Sequence, residues 1–237
     1  MLRGFEKAAD PRILTLALLT TFLLYVGNLT VCEAKEPQPV DFKATDGVSL
    51  RGYLFGKGST GVILAHMYPA DQKSWFPLAQ KLAEKGYLAM TFDFRGYGES
   101  GGDKVIAEID RDLGGAYRLL QPKVKKIFLV GASMGGTAAI RVAARNPTAG
   151  VVSLSAPMAF KGLDAREAIG KIEVPCLFVS AEGDGYAFAA AHEFHEAAKS
   201  QKRLLLIVPG PEHGTRLFSS PSGEKVEKAI LDFLETN

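Results

Sequence analysis

The sequence predicts an α/β fold in which a mostly parallel, eight-stranded sheet carries helices on both faces. The first supporting observation is a set of six short, nearly continuous apolar runs after residue 60. The second is that helical patterns separate most of these runs, as the crossovers of a parallel sheet require. The third is a pair of alternating segments joined by Asp46-Gly47, which is a hairpin signal. Runs that are apolar throughout are typical of strands buried on both faces.

The predicted elements follow one another in a regular order. The two strands of the leading hairpin fall in residues 40–45 and 48–56. Later strands are predicted at residues 61–66, 87–93, 126–131, 150–155, 174–181 and 203–210. Helices are predicted at residues 73–85, 105–120, 134–145, 186–199 and 224–234. The organisation is therefore one α/β domain over residues 40–237, preceded by a polar linker at residues 35–39.

The first 34 residues have the pattern of a targeting segment. A basic lead over residues 1–12 is followed by a charge-free run over residues 13–26, as in a signal peptide that is cleaved after Ala34. The uncharged run extends to Cys32, about 20 residues, which is long enough for an uncleaved membrane anchor. The residues before Cys32 also loosely resemble a lipoprotein box. The sequence predicts export to the periplasm or the exterior, or attachment to a membrane through this segment.

Charge and histidine spacing narrow the function classes. The chain carries 28 basic and 26 acidic residues, well mixed, which argues against a nucleic-acid partner. His192 and His195 are three positions apart on a predicted helix, whereas a zinc-protease motif needs two histidines four apart. They predict an exposed helix face, and no metal site is predicted.

A serine stands at the corner between an apolar run and a helix, within the stretch FLVGASMGGTAAI. The hydroxyl of this residue, Ser133, is a weak nucleophile unless a base accepts its proton. Of the four histidines, His213 directly follows the last predicted strand and is flanked by Pro211 and Gly214. Because the carboxyl ends of parallel strands meet at one edge of the sheet, Ser133 and His213 are predicted to lie on the same side.

Two carboxylates compete for the role of orienting His213. Glu182 directly follows its strand, so its direction is tied to the alternating faces of that strand. Asp184 lies beyond Gly183, where the chain turns freely and the side chain can reach over the strand ends. The predicted triad is therefore Ser133, Asp184 and His213, in that chain order.

These motifs resemble the α/β-hydrolase family, including bacterial serine esterases and relatives of monoglyceride lipase and dienelactone hydrolase. GASMGG resembles the G-x-S-x-G nucleophile elbow of that family, and FDFRGYGES resembles its D-x-R-G-x-G-x-S segment. LAHMYPADQKSW resembles its oxyanion loop. The resemblance extends over nearly all of residues 40–237 and implies an α/β-hydrolase fold with Ser133 as nucleophile.

The same resemblance implies an oxyanion hole and a substrate site. Its two amide donors are expected at Met134, which follows the nucleophile, and at Tyr68 in the oxyanion loop. Met67 replaces the glycine that is usual in this loop, and His66 is expected to brace the loop. His66, Met67 and Trp75 are the candidate substrate-binding residues, although Trp75 fits the start of a helix equally well.

The predicted function is a serine hydrolase that cleaves carboxylic esters of small or medium acyl groups through an acyl-enzyme, with no cofactor. Only about twenty residues, 156–173, are available for a lid, which predicts one short helix and an open site for a small-molecule ester. The alternatives are a peptidase, a thioesterase or a perhydrolase with the same triad, or a catalytically silent binding protein.

Overall fold

A computed structural model describes residues 36–237, which form an eight-stranded sheet with helices on both faces. The strand order is β1-β2-β4-β3-β5-β6-β9-β10. Strand β1 pairs antiparallel with β2, β2 pairs antiparallel with β4, and all remaining neighbours are parallel. The predicted fold class is confirmed, including the antiparallel hairpin before the parallel strands.

The elements have the following bounds. The strands are β1 Gln38–Lys43, β2 Ser49–Phe55, β3 Thr60–Ala65, β4 Leu88–Phe92, β5 Lys126–Ala132, β6 Gly150–Leu154, β7 Ala159–Phe160, β8 Leu163–Asp164, β9 Cys176–Ala181 and β10 Arg203–Val208. The helices are α1 Phe76–Glu84, α2 Ile109–Leu120, α3 Met134–Ala143, α4 Arg166–Ile169, α5 Gly185–Ala197 and α6 Gly223–Thr236. Short 3-10 turns precede α1 and α2, which is why both helices begin later than the sequence predicted.

The sheet separates two apolar layers. Successive side chains of β5 enter opposite layers: Ile127 and Leu129 face one, and Phe128 and Val130 face the other. Helices α2, α3 and α5 cover the first layer, while α1 and α6 cover the second. A strand that is buried on both faces needs an apolar residue at every position, which explains the continuous apolar runs.

The segment between β6 and β9 differs from the prediction of a single short helix. It contains a second, two-stranded sheet of β7 and β8, followed by α4, which is only four residues long. Lys161 and Gly162 connect the two strands, and both have left-handed backbones, with φ of 45° and 87°. A two-residue hairpin turn favours positive φ at both central positions, so the turn geometry explains this conformation. We call residues 159–164 the lid hairpin.

The topology determines where the site lies. The chain passes from β3 to its neighbour β4 on one side, and then crosses to β5 on the other side of β3. The loops that leave β3 and β5 diverge at this point, and in open α/β sheets the crevice between such loops is the usual ligand site. The loop with Tyr68 follows β3, and Ser133 follows β5.

Within residues 36–237 no helix is long and apolar enough to cross a membrane. The predicted targeting segment at residues 1–34 and the start of the linker lie outside the described residues. The signal peptide, the membrane anchor and the lipidated Cys32 therefore stay predictions.

Candidate active site

The corner at Ser133 has a left-handed backbone, with φ of 50° and ψ of −121°. Such a conformation is strained for a residue with a side chain and persists only where the surroundings impose it. Here backbone packs on backbone: a Cβ at Gly131 would collide with the carbonyl oxygen of Gly135, and a Cβ at Gly135 would collide with that of Ala65. The glycines of the motif therefore permit a close approach that no other residue allows.

The same corner aims Ser133 at the carboxyl edge of the sheet. Ser133 is only 7% exposed, and its amide donates to Leu154 at 2.8 Å, which attaches the corner to the neighbouring strand β6. Met134 is the first residue of α3, so its amide has no acceptor within the helix. The positive end of the helix dipole and this free amide both lie beside the serine, where they favour a developing negative charge.

Asp184 and His213 form a hydrogen-bonded pair. The ring Nδ1 lies 2.8 Å and 3.0 Å from the two carboxylate oxygens of Asp184. Since a carboxylate only accepts, Nδ1–H donates, and Nε2 is left free to accept a proton. Asp184 follows β9 and His213 follows its parallel neighbour β10, which is how residues 29 positions apart meet. Glu182, the rival carboxylate, is exposed and is not hydrogen-bonded to His213.

The His213 loop packs against the nucleophile corner. A Cβ at Gly214 would lie 3.5 Å from the Cβ of Ala132, the residue before Ser133. Among the described residues no hydrogen bond joins the Ser133 hydroxyl to His213. Catalytic hydrogen bonds are often long before substrate binds, so this geometry is compatible with the predicted roles, which stay predictions.

His66 braces the oxyanion loop from inside. Its Nδ1–H donates to the carbonyl oxygen of Met67 at 3.0 Å, and its Nε2 accepts from the amide of Phe94 at 3.1 Å. Burial lowers the pKa of His66, so the ring is neutral and suited to one donated and one accepted hydrogen bond. With no exposed surface, His66 positions the loop and offers no contact to a substrate.

Met67 and Trp75 are also buried. The sulfur of Met67 accepts from the Thr215 hydroxyl at 3.5 Å and lies against Gly214, so Met67 packs beneath the His213 loop. Trp75 is fully buried and meets Phe218 edge-to-face at 5.7 Å between ring centroids. Neither side chain faces an open surface, in contrast to the predicted substrate contacts. Tyr68, by contrast, is 42% exposed at the mouth of the site.

The FDFRGYGES segment holds the surrounding loops together. Asp93 accepts hydrogen bonds from the amide and side chain of Gln72, at 2.9 Å and 2.7 Å, and so joins the oxyanion loop to β4. Arg95 donates to Asp112 at 2.6 Å and to Asp46 at 2.9 Å. Burial alone would lower the pKa of Arg95, but the hydrogen bonds and charges of Asp112 and Asp46 outweigh it and raise that pKa. Asp93 and Arg95 therefore hold loops in place, and within residues 36–237 no hydrogen bond joins either of them to a residue of the predicted triad.

The lid hairpin is part of the site although the sequence patterns did not indicate it. The Phe160 and Tyr68 ring centroids are 5.9 Å apart, and the ammonium of Lys161 lies 4.4 Å from the centre of the Tyr68 ring. The only local signal is the Lys161-Gly162 pair between two apolar residues, which is compatible with a tight hairpin turn.

No group of three histidine, cysteine, aspartate or glutamate residues able to hold a metal ion occurs in residues 36–237.

Comparison with known proteins adds to this geometry. Residues 59–166 match the family model described as serine aminopeptidase, S33; the matched range contains Ser133 but ends before Asp184 and His213. The chain is 26% identical to the uncharacterized protein YfhR of Escherichia coli (strain K12) over 230 residues, which cover 83% of this chain and 80% of YfhR.

Solved structures share the fold. The esterase Pf2001 of Pyrococcus furiosus superimposes with a TM-score of 0.76 at 22% identity, covering 85% of this chain and 91% of that chain. A monoacylglycerol lipase of Paleococcus ferrophilus superimposes with a TM-score of 0.67 at 20% identity, covering 78% and 98%. The resemblance to α/β-hydrolases is confirmed at the level of the fold, and the family model, over residues 59–166, supports a hydrolase.

Proposed function

We propose that this α/β-hydrolase is a serine hydrolase that cleaves carboxylic esters of small to medium acyl groups through an acyl-enzyme. One observation carries the proposal: the strained corner presents Ser133 at the edge of the sheet where Asp184 and His213 form their hydrogen-bonded pair. A bare G-x-S-x-G motif has many structural explanations, but an oriented histidine at the same sheet edge as a strained strand–helix corner is the arrangement that activates a serine.

The proposed reaction proceeds in two halves. The Ser133 oxygen attacks the ester carbonyl while Nε2 of His213 accepts its proton, and the imidazolium then protonates the departing alcohol. Asp184 holds the ring in the tautomer with hydrogen on Nδ1 and stabilises its positive charge. The amides of Met134 and Tyr68 hold the oxyanion. Water, deprotonated by His213, then cleaves the acyl-enzyme and releases the acid.

The short lid supports the preference for small or medium acyl groups. Between β6 and β9 only the lid hairpin and the four-residue helix α4 are available to cover the site. A long acyl chain gains affinity mainly from apolar surface that covers it, and elements this short form only a small cover. The names of the solved neighbours include both esterases and a monoacylglycerol lipase, so the upper limit of chain length needs measurement.

Peptidase activity is the second candidate, because the matched family model is described as serine aminopeptidase. An aminopeptidase binds the ammonium group of its substrate, for which carboxylates are the natural partners. The charged side chain that lies over Tyr68 at the mouth is a lysine, Lys161. This charge favours the ester over the aminopeptidase proposal. Thioesters, perhydrolysis and a silent binding role keep the same geometry and are separated by assay.

The decisive experiment is labelling with a fluorophosphonate probe, followed by a panel of 4-nitrophenyl esters and alanine 4-nitroanilide. We expect Ser133→Ala to abolish labelling and to lower ester turnover at least about 10⁴-fold, because the nucleophile is lost. Ser155→Ala is a matched control, since Ser155 is also buried with φ of 50° but follows β6. Persistent labelling or turnover in Ser133→Ala, with loss in Ser155→Ala, would refute the assignment. Faster anilide than ester cleavage would favour the peptidase.

A further inference from the structure

Four residues at the mouth of the site form what we call the lysine–tyrosine cluster: Tyr68, Tyr97, Lys104 and Lys161. The ammonium of Lys161 lies 4.4 Å from the centre of the Tyr68 ring, and that of Lys104 lies 4.5 Å from the centre of the Tyr97 ring. Both are within the range of a cation–π interaction, which holds an ammonium in place without neutralising it. The cluster thus fixes two positive charges beside the oxyanion loop.

The two lysines come from segments that are in contact. Lys161 is in the turn of the lid hairpin, and Lys104 is in the loop that precedes α2. A Cβ at Gly162 would lie 3.0 Å from the Cβ of Ala107, so the hairpin turn packs on that loop. Tyr97 in turn lies against His66, with 5.0 Å between ring centroids. The cluster therefore adjoins the loop that is predicted to hold the oxyanion.

Neither ammonium group forms a salt bridge within the described part of the chain. Among residues 36–237 no carboxylate lies within 4.0 Å of Lys104 or Lys161, whereas Arg95 nearby binds three carboxylates. Burial lowers the pKa of His66, and the charges of the carboxylates of Asp93 and Asp71 act in the opposite direction. These are engaged elsewhere: Asp93 accepts from Gln72 and from the amide of Glu99, and Asp71 caps the following turn.

The hydroxyl of Tyr97 is a second, independent observation. Tyr97 is 4% exposed, and its hydroxyl is buried without a hydrogen-bond partner in the described residues. Burial raises the pKa of Tyr97, and nearby Tyr68 adds to the rise, so the group stays protonated and able to donate. A buried hydroxyl without a partner is costly unless a ligand supplies one. The missing partner of this hydroxyl is an acceptor. Since the Lys104 ammonium lies over the same ring and the Lys161 ammonium lies over nearby Tyr68, an anion is the acceptor that all three groups favour.

We propose that the lysine–tyrosine cluster binds a negatively charged group, a carboxylate or a phosphate, carried by the ester substrate. Lys104 and Lys161 attract the anion, and the Tyr97 hydroxyl donates a hydrogen bond to it. This inference rests on the proposed esterase function and specifies its substrate class: acidic esters whose charge lies a short distance from the scissile carbonyl.

The test compares esters that differ in charge. On the alcohol side, the probes are 4-acetoxybenzoate and 4-acetoxyphenyl phosphate, with methyl 4-acetoxybenzoate as the neutral reference. On the acyl side, the probes are mono-4-nitrophenyl adipate and its methyl ester. The measured quantity is the ratio of kcat/KM between an anionic ester and its neutral reference. The intrinsic reactivity of each ester cancels when this ratio is compared between enzyme variants. The probe whose ratio changes most between variants shows whether the anion is a carboxylate or a phosphate, and whether it lies on the alcohol or the acyl part of the ester.

We expect Lys104→Met combined with Lys161→Met to lower this ratio about tenfold, mainly through KM, because two exposed positive charges that attract the anion are lost. Tyr97→Phe should lower it about threefold or more without lowering thermal stability, since the hydroxyl it removes has no protein partner. The wild-type ratio should fall as salt is raised, and the double-variant ratio should not. Lys123→Met is the matched control, because exposed Lys123 precedes β5 at the opposite edge of the sheet.

The outcomes separate this inference from the proposed function. Ester turnover that depends on Ser133, with ratios equal in wild type and double variant for every probe, would overturn the anion site and leave the esterase intact. A stability loss in Tyr97→Phe with an unchanged ratio would likewise show a purely structural hydroxyl. If no ester is cleaved, calorimetric titration of Ser133→Ala with 4-acetoxybenzoate decides: saturable binding lost in the lysine variants supports the site, and no binding refutes it.

Discussion

The strand–helix corner at Ser133 follows β5, and the mouth of the site at Tyr68 follows the neighbouring strand β3. The two regions are held by different kinds of contact. At the corner, glycine backbones touch other backbones, and the left-handed Ser133 is only 7% exposed. At the mouth, exposed Tyr68 meets Phe160 and Lys161 through side chains only. Backbone packing leaves no freedom to relax, whereas side-chain contacts change with little cost. The corner should therefore be intolerant of change and the mouth adaptable, which suits catalysis at one and selection at the other.

The largest expected effect is on kcat, from a change in the Asp184–His213 pair. Asp184→Asn should lower kcat about 10⁴-fold without loss of folding, because an amide favours the wrong histidine tautomer; this magnitude is the one measured for the serine-protease triad. Glu182→Gln should change kcat by less than about threefold, since Glu182 is exposed and does not contact His213. Steady-state kinetics with circular dichroism tests both variants. A larger loss in Glu182→Gln than in Asp184→Asn would transfer the role to Glu182.

A single methyl group should distinguish the corner from ordinary glycine positions. Gly135→Ala places a Cβ against the carbonyl oxygens of Ala65 and His66, so we expect about 3 kcal/mol of destabilisation and a large loss of activity. Gly170→Ala is the control, because its Cβ would meet nothing closer than the Glu167 carbonyl at 4.0 Å. Urea unfolding measures both. Equal unfolding free energies for the two variants would show that the corner is not packed as tightly as described.

The smallest expected effect is that of pH on the free energy of unfolding, through His66, which braces the oxyanion loop at the mouth. Burial lowers the pKa of His66 in the folded state from the ordinary value of 6.5. Below about pH 6.5 the unfolded chain therefore binds a proton that the folded protein does not, and the free energy of unfolding falls with falling pH, by up to about 1.4 kcal/mol per pH unit. The loss continues until pH reaches the folded-state pKa.

Urea unfolding at pH 7, 6 and 5 should show this slope in the wild type and a flatter slope in His66→Gln. His192→Gln is the comparison variant, because His192 is exposed on α5. If the wild type and His66→Gln have parallel pH dependences, the neutral, buried state of His66 does not contribute to stability, and the brace of the oxyanion loop would need another explanation.

Local pattern was enough to predict the parts of the site that one strand–loop junction determines. Ser133 is recognisable because an apolar strand, a tight glycine corner and a helix follow one another in thirteen residues. Asp184 is preferred over Glu182 because a glycine precedes it, and the structure places its carboxylate on His213. For Trp75 the sequence leaves two alternatives open, because an aromatic residue at a helix start fits a core or a pocket equally well; in the structure Trp75 packs on Phe218 in the core.

The sequence by itself determined the strands, the helices and the corner, since each depends on residues only a few positions apart. Tertiary structure alone decided that Met67 lies beneath Thr215, and that the hairpin around Lys161 meets Tyr68 ninety-three positions earlier in the chain. Such contacts depend on which strands become neighbours and on how the chain reverses around β3. Side-chain periodicity records which face of an element is buried but carries no information about the distant element that covers it.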